Sequence, residues 1–115
     1  MHAFDVLGDP VRRRILELLA DGQLPAGEIT SSIQDEFGIS QPGVSQHLRV
    51  LRESGFTNVR PVGAHRVYAV DPKHLREVDV WLEQFRRLWQ ESYERLDEVL
   101  SKMKKEEKKH GRKDK

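Results

Sequence analysis

Six polar side chains, Gln41, Ser45, Gln46, His47, Arg49 and Arg52, alternate with an apolar set, Val44, Leu48 and Leu51, at helical spacing. A helix that buries the apolar set turns the polar ones outward. Glutamine carries a donor and an acceptor that match the major-groove edge of adenine, and arginine forks onto guanine or onto phosphate. Arg60, His65 and Arg66 follow shortly after. The chemistry on offer is therefore hydrogen bonding to base edges and pairing with phosphate. Bond-making chemistry has no comparable set. The chain has no cysteine, which excludes disulfides, thiolate catalysis and thiolate metal sites. It has no glycine-rich phosphate loop, no paired carboxylates and no nucleophile–base pair, so an enzyme is not expected.

Charge supports a local anion-binding face. The formal net charge of the 115 residues is only +1, but it is unevenly spread. Residues 1–39 carry three Arg against seven acids, and residues 40–66 carry four Arg against Glu53 alone. Residues 67–101 are acidic again, and residues 102–115 hold eight Lys or Arg against three acids. One internal segment and the C-terminal end are basic, and the internal one contains the outward-facing set.

The elements that must position these groups follow from local signals. Phe4 and Leu7 make a short apolar helical face closed by Gly8. Asp9-Pro10 starts a second helix, with Asp as N-cap and Pro at the first helical position, whose stripe is Val11, Ile15, Leu18 and Leu19. Leu24-Pro25 starts a third, with Ile29, Ile33 and Phe37 inward and Gly38 as its stop. Ser40 caps a fourth, and Pro42 falls in its first turn, where a missing N–H costs nothing. Ser54-Gly55 ends it. The period then shortens to alternation over Phe56–Val62 and Ala64–Val70. Gly63-Ala64 between them suits a type II′ hairpin turn, and Pro61 places its strand at an edge. Asp71-Pro72 opens a last helix that can run to about Lys104. Its residues Leu75, Val78, Leu82, Phe85, Trp89, Ser92, Leu96, Val99 and Met103 are spaced alternately three and four apart, an a/d heptad pattern with one polar member. The order is helix, helix, helix, helix, hairpin, long helix: a mostly α chain with a small β-hairpin, a helix-turn-helix followed by a wing. Residues 1–104 form one domain whose last helix, about 72–104, dimerises it. Residues 105–115 are expected to fray into a basic, disordered tail.

Two stretches of this chain resemble the ArsR family of winged-helix transcriptional regulators. One is Leu7-Gly8-Asp9-Pro10-Val11-Arg12-Arg13-Arg14-Ile15-Leu16. The other is Ile39-Ser40-Gln41-Pro42-Gly43-Val44-Ser45-Gln46-His47-Leu48-Arg49-Val50-Leu51, followed by Glu53-Ser54-Gly55. The hairpin from Val59 to Tyr68 is similar to that family's wing. The resemblance spans about residues 3–100. It implies a homodimer that binds an inverted-repeat operator in double-stranded DNA and represses transcription. It further implies that Ser40, Gln41, Ser45, Gln46, His47 and Arg49 contact DNA from the helix inserted into the major groove, and that Arg60, His65 and Arg66 contact it from the wing. The dimer interface would be built from the first and last helices: Phe4, Leu75, Val78, Leu82, Phe85, Trp89, Leu96 and Val99.

The chain departs from the family in its metal-binding residues. Cysteine is absent, and the last helix has His74 near its start and no second His until His110, so the paired-histidine spacing is missing. No metal and no cofactor are expected. Trp81 and Trp89 read as packing residues on a heptad stripe ahead of a ligand cavity; an effector, small molecule or protein, is left open. No apolar run approaches the roughly 20 residues needed to span a bilayer, and the first residues lack a signal-peptide pattern, so a cytoplasmic protein is expected. The alternative function is a protein-interaction module that uses the long helix, with the winged helix as scaffold.

Overall fold

Helix α1 (Ala3–Leu7) is five residues long and cannot satisfy its own ends. At its start, His2 Nδ1 accepts from the Phe4 N–H at 3.4 Å, and Asp5 accepts from the His2 N–H at 3.2 Å. At its end, the guanidinium groups of the next helix take over. Arg12 Nε donates to Val6 O at 2.9 Å and Nη2 to Asp5 O at 3.0 Å, and Arg13 Nη1 donates to Leu7 O at 2.6 Å. This clamp sets which side of α1 turns inward. Ala3 and Val6 are buried, Leu7 packs at the edge of the core, and Phe4 remains 42% exposed. The inward Phe4–Leu7 face expected from sequence is therefore rotated by one residue.

Helix α2 (Pro10–Ala20) starts as its sequence dictates: Asp9 Oδ1 accepts from the N–H groups of Val11 at 2.8 Å and Arg12 at 3.2 Å. Val11, Ile15, Leu16 and Leu19 are buried, while Leu18 packs only at the margin. Leu24–Pro25 is a two-residue strand, β1, and not the start of a helix. It pairs antiparallel with a later strand, and Pro25, which has no N–H to give a ladder, stands at the sheet edge. Helix α3 (Ala26–Phe37) follows, with Ile29 and Ile33 fully buried. Phe37, expected as the third inward residue, is 38% exposed, because it occupies the last position before the left-handed cap at Gly38 (φ 67°). Three residues later helix α4 (Gln41–Glu53) begins, with Ser40 Oγ accepting from the Gly43 N–H at 3.3 Å. Its Val44, Leu48 and Leu51 are buried as the spacing requires.

Strands β2 (Thr57–Val62) and β3 (His65–Val70) form the hairpin, and the sheet order is β1-β3-β2. Gly63 has φ 61°, and among the described residues only glycines have a positive φ, so Ala64 does not, the signature of a type II′ turn. Pro61 lies on the outer strand β2, where its missing donor faces no neighbour.

Helix α5 (Leu75–Lys113) starts three residues later than the sequence reading places it. The Asp71 carboxylate accepts from the Lys73 N–H at 3.0 Å, and the Asp71 N–H donates to Phe56 O at 2.9 Å. Asp71-Pro72 thus ties the chain to the start of the hairpin before the helix begins. The far end also differs: α5 continues through Lys113, and the last two residues of the expected tail, 114–115, lie outside the described residues. Residues 102–107 contain no proline and consist mainly of Lys and Glu, good helix formers.

This computed structural model describes residues 2–113, with side chains to residue 107. Those residues divide into two units. The first, through Asp79, contains the core: Val6, Ile15, Ile29, Ile33, Val44, Leu51 and Phe56 are its fully buried large side chains. Each contributes about 1.5–3 kcal/mol by leaving water. Leu75 and Val78, from the first turns of α5, pack against this core. The second unit is the rest of α5 from Val80 onward. Along it Leu82 and Phe85 are half-buried, and Trp89, Leu96 and Val99 are 46%, 52% and 51% exposed in the single chain. The Trp81 and Phe85 rings meet at 4.9 Å. No helix among the described residues is long and apolar enough to cross a membrane.

Candidate nucleic-acid interface

The stripe of Val44, Leu48 and Leu51 anchors α4 on the core and fixes which residues look outward. Gln41, Ser45, Arg49 and Arg52 are exposed and recur every three or four residues, so they form one row along the helix. Gln46 is exposed beside it. The row is one wall of a cavity of about 410 Å³. A second wall is the start of α3, at Gly27 and Thr30, and the third is β3, at Arg66 and Tyr68. Three guanidinium groups, Arg49, Arg52 and Arg66, therefore border one concave surface together with an amide and a hydroxyl. Arg49 Nε lies 3.7 Å from Glu53 Oε1, but both side chains are about two-thirds exposed, at 65% and 63%. Such a surface pair is weak and yields readily to a phosphate. A shallower groove, lined by Pro42, Ser45, Gln46 and Arg49, continues along the outer face of α4.

The register of the hairpin separates the wing residues. Arg60 pairs with Val67 and Val62 with His65, whereas Pro61 pairs with Arg66. Directly paired residues share a face and successive residues alternate, so Arg66 and Tyr68 occupy one face and Arg60 and His65 the other. Arg60 Nη2 donates to Gln23 Oε1 at 2.7 Å, tying the hairpin to the loop before β1. His65 borders a neighbouring depression, against Pro25, Gly27, Glu28, Ser31 and Ser32, of which only Gly27 also lines the α4 cavity.

Two further residues expected at the interface are engaged elsewhere. Ser40 Oγ is occupied as the cap of α4. His47 is half-buried, and its Nδ1 lies 4.0 Å from Asp9 Oδ1. Burial pulls the Asp9 carboxyl upward. The N–H groups of Arg12 and Val11, with the charges of His47 and Arg12, outweigh that effect and hold it below the ordinary aspartate value.

The structure thus brings Gln41, Ser45, Arg49 and Arg66 together, places Gln46 beside them, and sets Ser40, His47, Arg60 and His65 apart. The sequence reading did not single out Gly27, Thr30 or Tyr68, which no periodicity connects to α4. Arg52 was legible from its position three residues after Arg49 on the outward face. Of the residues expected in a dimer seam, Leu75 and Val78 spend part of their surface on their own core, whereas Phe4, Trp89, Leu96 and Val99 stay open to solvent in the single chain. Among the described residues, no three His, Asp or Glu side chains come together as a metal site. His74 packs on Gly55 and Phe56 and shares its Nδ1 with Glu77 Oε1 at 3.1 Å.

The chain is similar to known transcriptional regulators. A helix-turn-helix domain family matches residues 7–60. The HTH-type transcriptional regulator Rv2034 of Mycobacterium tuberculosis is 40% identical over 84 residues, which is 73% of this chain and 75% of the relative. The transcriptional repressor SdpR of Bacillus subtilis is 31% identical over 84 residues, 73% of this chain and 89% of the relative. Among solved structures, an ArsR family transcriptional regulator, RHA00566, is similar at a TM-score of 0.60 and 28% identity, over 76% of this chain and 86% of that one.

Proposed function

The chain belongs to the ArsR-type winged helix-turn-helix transcriptional regulators, and from that premise we propose that it binds an operator as a homodimer and represses transcription there. The observation that carries this reading is the shared groove: the outward row of α4 and Arg66 of β3 border one concave surface. A duplex seated on that surface meets Gln41, Ser45 and Gln46 at its base edges and Arg49, Arg52 and Arg66 at its phosphates. Such a division supplies sequence readout from the helix and salt-sensitive anchoring from the cations. The apolar row of α5 supports dimerisation. Its a/d members from Leu82 to Met103 have no cover in their own protomer sufficient to bury them, and a second copy supplies the same row. SdpR is a repressor by name, which favours repression over activation.

Selecting DNA fragments from the source genome with the purified full chain tests the proposal. The expected result is enrichment of a few fragments that share an imperfect inverted repeat, its half-sites about one or more helical turns apart. Enrichment of no DNA above a random background would overturn it and leave a protein-interaction module as the surviving alternative.

A further inference from the structure

His47 sits within the polar run of α4 yet behaves unlike its neighbours. Gln46 is exposed, whereas His47 is half-buried, with its Nδ1 4.0 Å from Asp9 Oδ1. Asp9 is itself held in place. Its Oδ1 caps α2 through the N–H groups of Val11 and Arg12, and its Oδ2 lies 3.7 Å from Arg12 Nη1. Arg12 in turn grips the Asp5 and Val6 carbonyls at the end of α1. An imidazole placed against such a fixed carboxylate connects α4 to α2, and through Arg12 to α1.

We propose that His47 is a positioning residue: braced on Asp9, it sets the angle at which α4 presents Gln41, Ser45, Gln46 and Arg49 to DNA, and it does not itself read bases or phosphates. The inference rests on α4 being the DNA-contacting helix. The contact spans α4 and α2, and its carboxylate is held by two N–H donors and a guanidinium. A brace and a reader respond oppositely to loss of Asp9. Removing a carboxylate near phosphates frees a reader and strengthens or spares its DNA contact, whereas it slackens a brace and weakens the operator complex.

Four full-length proteins decide the matter: wild type, Asp9→Asn, His47→Gln and the double variant. Each is titrated on a duplex carrying the selected inverted repeat and on a random duplex. Asparagine caps helices as well as aspartate does, so Asp9→Asn keeps α2 while removing the charge, and His47→Gln leaves Asp9 untouched. Each single variant is expected to lose about threefold to fivefold in operator affinity. The double variant loses no more than either single one, and the random duplex, which depends on phosphate contacts alone, loses less than the operator. A carbon-13 titration of the Asp9 carboxyl supplies a readout that simple loosening of the fold leaves still. In His47→Gln its midpoint rises toward the ordinary aspartate value. Operator binding that is unchanged or tighter in Asp9→Asn would overturn the brace, as would additive losses in the double variant or an unmoved Asp9 titration. If wild type binds neither duplex, the proposed function falls, and the brace with it. If wild type prefers the operator and only the variants disagree, the brace alone falls.

Discussion

Replacing Gly55 with alanine isolates how the first unit holds the start of α5. Gly55 has φ 79°, and a Cβ built on it falls 2.7 Å from His74 Cδ2 and 2.8 Å from Nε2, closer than such atoms approach. Gly38 is the natural control: its φ is 67°, and nothing lies within 4 Å of the same added atom. An L-residue in the left-handed region costs about 1–2 kcal/mol, so Gly38→Ala should lose about that much. Gly55→Ala carries the same strain and must also displace an imidazole that packs on Phe56 at 5.8 Å and bonds Glu77 at 3.1 Å. Overpacking of this kind adds about 1–3 kcal/mol, giving a total of about 2–5 kcal/mol. His74→Ala in the Gly55→Ala background removes the obstacle, so the double variant should be more stable than the sum of the two single losses by the overpacking cost, about 1–3 kcal/mol. Urea unfolding at one fixed protein concentration measures all four proteins, because stability of a dimer depends on concentration. Equal losses at Gly55 and Gly38, or full additivity with His74→Ala, would refute the reasoning.

Two other perturbations bear on assembly and on acid stability. Leu82→Glu together with Phe85→Glu places four carboxylates per dimer in the proposed seam; unpaired buried charges cost several kcal/mol, so sedimentation should find monomer or unfolded chain, and a persisting dimer would contradict the seam. Glu36 is held below the ordinary glutamate range first by its hydrogen bonds from Arg14, at 2.8 and 3.0 Å, and Asp9 is also depressed. Their stabilisation is fully present above the unfolded values, about 4.3 for Glu and about 3.9 for Asp, and disappears as pH falls through the lower folded values. Urea midpoints measured between neutral pH and pH about 3 should therefore fall less steeply in Glu36→Gln than in wild type, and identical slopes would rule out a contribution from this ion pair.

What the sequence disclosed was local, and what it withheld depended on distant partners. Ser40, Pro42 and the Val44–Leu48–Leu51 stripe lie within one short segment, and they were enough to position α4 and its outward row. Asp9-Pro10 and the Gly63-Ala64 turn were legible for the same reason. Strand β1 was not, because two residues become a strand only when Tyr68 and Val67 pair with them from across the chain. Asp71-Pro72 carried the same cap signal as Asp9-Pro10, and Asp71 does accept from the Lys73 N–H as a cap would, but regular helix begins only at Leu75. The wing shows an inference that was available and was missed: once the turn is fixed at Gly63-Ala64, strand alternation already separates Arg66 from Arg60 and His65. The partners that occupy Arg60 and His47, namely Gln23 and Asp9, come from other elements, and no spacing rule connects them.

The account turns on α4 reading sequence while β3 holds the backbone, and one crossed titration tests that directly. Wild type, Gln46→Ala and Arg66→Ala are each measured on the operator and on random DNA at several salt concentrations. Gln46→Ala should cost about 1–3 kcal/mol on the operator and little on random DNA. Arg66→Ala should weaken both nearly equally and flatten the salt dependence by about one unit, because one phosphate fewer is neutralised. If Arg66→Ala instead abolished operator preference while Gln46→Ala changed nothing, the groove would be reading DNA from the wing, contrary to the account.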